Sequence, residues 1–91
     1  GADKTWAETA TITTAEQTAT LRGLKSTDLI ISVTKPTAQA GLGIAGWRVS
    51  DTDTIAITFD NPTAAGITPT AAETYTAFIA RLEHTLTDAN A

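Results

Sequence analysis

The chain has 91 residues, a formal net charge of −4 and no cysteine. A chain of this length fits one domain and buries only about 63% of its extended surface on folding, and without cysteine it has neither a disulfide framework nor a thiolate metal site. Six basic residues, scattered and outnumbered by ten acidic ones, leave no footprint for nucleic acid. Apolar runs such as Leu29-Ile30-Ile31 are too short for a transmembrane helix, so a soluble protein with no nucleic-acid and no membrane partner is expected.

Threonine supplies 20 residues, many at alternate positions, where a β-branched side chain suits a pleated, half-exposed strand. Trp6, Glu8, Ala10 and Ile12 alternate with Ala7, Thr9 and Thr11 and predict a first strand over 6–12, although Glu8 sits on its apolar side. Thr13 to Glu16 reads as a turn, Gln17 to Leu21 resumes the alternation, and Arg22 to Ser26 breaks it. The clearest buried strand is Asp28 to Lys35, with Leu29, Ile31 and Val33 on one face, Ile30, Ser32 and Thr34 on the other, and Pro36 as its exit.

Thr37 to Gly43 is a loop of small residues. Ile44 to Ser50 then places Ala45, Trp47 and Val49 on one side, with Gly46 inviting a bulge. Asp51-Thr52-Asp53 is turn chemistry, and Thr54 to Asp60 sets Ile55, Ile57 and Phe59 against Ala56, Thr58 and Asp60, so 44–60 is predicted as a β-hairpin. A loop rich in Ala, Gly and Pro follows to Pro69.

Two templates compete in the last third. Tyr75, Phe78, Ile79, Leu82 and Leu86 fit helical spacing, with Thr70 and Glu73 as a capping box. Tyr75, Ala77 and Ile79 also fit a strand from Glu73 to about Leu82, with Thr74, Thr76 and Phe78 opposite. The strand is the preferred reading. The expected fold is all-β, a compact β-sandwich or β-barrel of about six to eight short antiparallel strands with a C-terminal segment open to a helix. It forms a single domain over 1–91, with an extended N-terminal arm and a C-terminal tail.

Of the apolar residues 17 are alanine, which leaves 21 larger ones to build the core. Association with further copies or with a larger partner is therefore expected to add burial that the monomer lacks.

Few residues offer chemistry. His84 is the one histidine, in a segment read as a strand end or polar tail, and alanine there is expected to leave function intact. Asp51, Asp53 and Asp60 flank one hairpin, yet the first two stand where a turn wants Asp for its backbone, and the calcium-loop pattern lacks its glycine and later glutamate. Gly41-Leu42-Gly43 precedes a strand and lacks the lysine of a phosphate loop. No catalytic residue, cofactor or metal is expected. Trp6 and Trp47 can each pack in the core or anchor an interface, and with Leu42 and Ile44 they are the candidate interface residues.

The strings Thr34-Lys35-Pro36, Ala40-Gly41-Leu42-Gly43-Ile44, Arg48-Val49-Ser50, Asp53-Thr54-Ile55-Ala56-Ile57-Thr58-Phe59, Asn61, Ile67-Thr68-Pro69 and Glu73-Thr74-Tyr75 resemble a family of small bacteriophage structural proteins. The resemblance covers roughly residues 18 to 80. It implies a β-rich virion component and transfers no site residue. The implied role is a capsid decoration or cement protein, a homotrimer that bridges subunits of the major capsid protein. Such a protein resides on the outer capsid surface and is soluble in the host cytoplasm before assembly. The alternatives are a tail- or fibre-associated structural or adhesion module, and a carbohydrate-binding β-sandwich module with Trp47 as the sugar platform.

Overall fold

The computed structural model describes residues 4–81, which form five strands and, among the described residues, no helix. They are β1 (Thr13–Thr20), β2 (Leu29–Thr34), β3 (Gly43–Asp51), β4 (Thr54–Asn61) and β5 (Thr76–Ala80). Two antiparallel sheets result, one of order β1-β4-β3 and one of β2-β5.

The β3–β4 hairpin follows the expected pattern. Asp51 accepts the Thr52 N–H through Oδ1 at 2.7 Å, and Asp53 adopts φ 57, the left-handed geometry that short polar residues tolerate. β4 is the central strand, so Ile55, Ile57 and Phe59 are buried on its inner face, and Ala56 is buried too. Ile55, Ile57 and Phe59 join Leu24, Ile30 and Val33 in one hydrophobic cluster shared by the two sheets.

The start of the chain departs from expectation. Residues 6–12 are not a strand: their only ladder contact among the described residues is an isolated bridge between Thr9 and Ile67. Gln17 explains part of this, because its side-chain amide binds both the N–H and the C=O of Ala7 at 2.8 Å and takes the place of a neighbouring strand. The turn falls earlier than expected, at Thr11-Ile12 with Ile12 at φ 50, and 13–16 is the first half of β1, paired with Phe59 to Asn61 and with Thr58.

Bulges in β2 and β3 re-aim side chains. In β2 the register shifts between Ile30 and Ser32, so Ile30 and Val33 point into the core while Leu29 and Ile31 face out, which separates Val33 from the two residues that strict alternation grouped with it. In β3 one shift lies between Ile44 and Gly46, where Gly46 had signalled it, and a second lies between Val49 and Asp51 beside the hairpin turn. Ile44, Trp47 and Val49 then share the inner side, opposite Phe59, Ile57 and Ile55, and Ala45 is exposed. In the last third the helix is not formed within the described residues. β5 is a strand, shorter than the expected span, and Leu82, His84 and Leu86 lie outside the described residues.

Candidate protein-interaction surface

Because of the β2 bulge, the outer face of the two-stranded sheet carries large apolar side chains. Ser32 stands opposite Phe78 and Leu29 opposite Ala80, with Ile31 as the extra residue between. Leu29 and Ile31 are each 59% exposed and Phe78 60%. The remaining exposed large apolar residue among those described, Ile12, lies at the turn before β1. Polar neighbours on the same face are Thr34 and Thr76, a cross-strand pair. The arrangement is an apolar centre with hydroxyl-bearing surroundings, as at many protein contacts.

Two ion pairs make this sheet a firm platform. Arg81 reaches Asp28 with two hydrogen bonds of 2.9 Å and also donates to the Gly23 carbonyl at 2.8 Å. The guanidinium, and after it the Lys25 N–H, hold the buried Asp28 carboxyl down at about 2. At the other end Lys35 meets Glu73 at 2.8 Å, both side chains being nearly covered, and Thr37 also donates to Glu73. Lys35 first and Thr37 second keep the Glu73 carboxyl below the usual range.

On the opposite side of the fold, the inner faces part between β1 and β5. A groove of about 960 Å³ lies there, floored by Ala19, Leu21, Val33, Ile55 and Ala77 and closed at one end by Trp6 and Tyr75. Trp6 stacks edge-on against Phe59 at 5.2 Å and tilted against Tyr75 at 5.4 Å, with the Lys4 ammonium 5.0 Å from its ring centre. The Tyr75 hydroxyl is buried with no hydrogen-bond partner among the described residues. Its burial, and then the Glu73 charge, push its pKa up to about 12.

The four candidate interface residues do not form one exposed patch. Trp6, Leu42, Ile44 and Trp47 are each partly buried and pack against the rim of the core. Trp47 turns inward, partly buried, and donates its indole N–H to the Ile30 carbonyl at 3.1 Å. Asp53 Oδ1 accepts the Gly23 N–H at 2.8 Å, and Asp60 sits at the far end of the hairpin beside Gly43. No group of three metal-ligating side chains occurs among the described residues. Gly41 is needed for shape: its φ is +82, and a Cβ there would overlap the Thr63 methyl.

Leu29, Ile31 and Phe78 were missed as surface residues. A period-two pattern carries no sign of a bulge at Ile31. Phe78 did carry a signal, since the strand reading put it beside Thr74 and Thr76 on the polar side. In comparisons with known proteins, the chain matches no family model, no curated protein and no solved structure.

Proposed function

We propose that the domain is a non-enzymatic structural protein that docks on a larger protein assembly through the outer face of its β2–β5 sheet. The exposed Leu29, Ile31 and Phe78 carry this reading. Apolar groups of this size gain about 1.5–3 kcal/mol each when fully covered, and here they stand on strands braced by two ion pairs rather than on a loop. The shared inner cluster supports describing the two sheets as a small, open β-sandwich.

The resemblance to small phage structural proteins supplies the setting: a capsid decoration protein that bridges major capsid protein subunits on the outer head surface. Cosedimentation with purified heads tests it. Phe78→Asp and Ile31→Asp, both at exposed positions, should each weaken binding at least tenfold while leaving the circular dichroism unchanged. Undiminished binding by both folded variants rejects this face, and binding to isolated tails instead of heads moves the protein to the tail.

A further inference from the structure

We propose that the groove between β1 and β5 binds a small aliphatic carboxylate, its chain on the apolar floor and its head between the Arg22 guanidinium and the Tyr75 hydroxyl. The groove shares no lining residue with the exposed Leu29, Ile31 and Phe78, and the inference does not rest on the docking role given to that face.

The floor selects the chain. Ala19, Leu21, Val33, Ile55 and Ala77 are all aliphatic, and the rings of Trp6 and Tyr75 stand at one end only. Val33 and Ile55 belong to the hydrophobic cluster itself, so an alkyl chain lying here continues the core outward and leaves water as it does so.

Charge selects the head. A second hollow, of about 440 Å³, adjoins the groove, and Leu21, Arg22, Tyr75 and Ala77 line both, which places Arg22 and Tyr75 where the two meet. The acids that line these hollows are already matched, Glu73 by Lys35 and Asp28 by Arg81. Lys4 and Arg22, by contrast, make no ion pair among the described residues. Within a chain of net charge −4 this region is therefore locally positive, and it favours an anionic amphiphile over a cationic one.

Tyr75 supplies the second contact. Its hydroxyl is buried without a hydrogen-bond partner among the described residues, which leaves a donor unmet at a cost to the fold. A carboxylate offers an oxygen to that donor and a second to the guanidinium, whose N–H groups suit a planar anion. Burial, and then the Glu73 charge, raise the Tyr75 pKa to about 12, so the hydroxyl keeps its proton at neutral pH.

The test uses the full chain, isotope-labelled for amide NMR, and sodium decanoate at concentrations too low for micelles. Saturable shifts are expected at the Leu21 and Ala77 amides, with those of Ile31 and Phe78 unmoved. Decyltrimethylammonium, the same chain with the opposite charge, should bind at least tenfold more weakly. Arg22→Gln, at an exposed position, should lower decanoate affinity at least tenfold. Tyr75→Phe should lower it at least threefold and yet raise the melting temperature of the ligand-free domain, because it deletes an unmet hydroxyl and keeps the ring. The proposal is overturned by an absence of saturable binding, by equal affinity for the two amphiphiles, or by shifts centred on Ile31 and Phe78. It is equally overturned if Arg22→Gln or Tyr75→Phe binds decanoate as the parent does, or if Tyr75→Phe melts lower. Phe78→Asp, on the opposite face, leaves decanoate binding in place, so failure of this site is distinct from failure of the docking face.

Discussion

The indole N–H of Trp47 donates to the main-chain carbonyl of Ile30 across 3.1 Å, which ties β3 to β2 along the seam where no ladder joins the two sheets. The contact depends on the bulge at Ile31 in β2 and on the one at Ala45 in β3. The one in β3 brings Ile44 and Trp47, three residues apart, to the same inner side, and the one in β2 follows directly after Ile30.

Trp47→Phe should therefore keep the packing and lose the tie, at a cost of about 1 kcal/mol for an acceptor left without its partner. Trp47→Ala should cost about 3 kcal/mol, because the ring volume is lost as well. Urea denaturation with an unchanged slope is the check; equal stability of the phenylalanine variant and the parent would show that the hydrogen bond contributes nothing.

Acid should destabilise the domain in a defined window. The Asp28 carboxyl titrates at about 2 when folded, against 3.8 ordinarily. A depressed folded value means that the ionised pair stabilises the fold above about pH 4, and that this contribution is lost as pH falls from there toward 2. Glu73 and Glu16, both also depressed by their cationic partners, act in the same direction. Melting temperature followed from pH 7 to pH 2 should be level at first and then fall. Asp28→Asn should start lower and fall less steeply over the acid range.

Two glycines with similar backbone geometry should respond differently to alanine. Gly23, at φ +91, has open space where a Cβ would go, so Gly23→Ala meets backbone strain alone, about 1 kcal/mol. Gly41, at φ +82, adds the overlap with Thr63, and Gly41→Ala should be the more damaging by at least 1 kcal/mol. Equal losses in thermal denaturation would show that the 63–67 loop yields to the added methyl.

Asn61 should prove the costliest polar residue to remove. It is fully buried and donates from Nδ2 to the carbonyls of Thr9 at 3.0 Å and Ala65 at 2.8 Å, while its Oδ1 accepts the Thr63 N–H at 2.9 Å and hydroxyl at 2.6 Å. Asn61→Ala strands these groups at once, for a loss of about 3 kcal/mol or more. Hydrogen exchange should report the change first at the Thr9 and Ile67 amides, which form the adjoining bridge.

What was legible in the chain was local. Threonine content announced strands, Asp51-Thr52-Asp53 announced the hairpin, and the uninterrupted alternation of Ile55, Ile57 and Phe59 identified the inner face of the strand that became central. Pro36 marked the exit from β2, and Gly46 marked a bulge in β3. Each rests on a residue's own backbone preference or on a period of two within one segment, so no distant partner is needed to read it.

Tertiary structure decided the rest, because pairing across long separations outweighs local pattern. Thr13 to Glu16 carries turn-like composition but becomes strand when β4 offers it a ladder. Trp6 to Ile12 alternates correctly yet stays irregular, because Gln17 and the 63–67 loop take its hydrogen bonds. Above all, one extra residue at Ile31 parts Leu29 and Ile31 from Val33 and creates the apolar surface on which the proposed function rests. A bulge is fixed by the register between two strands, and that register exists only once they meet.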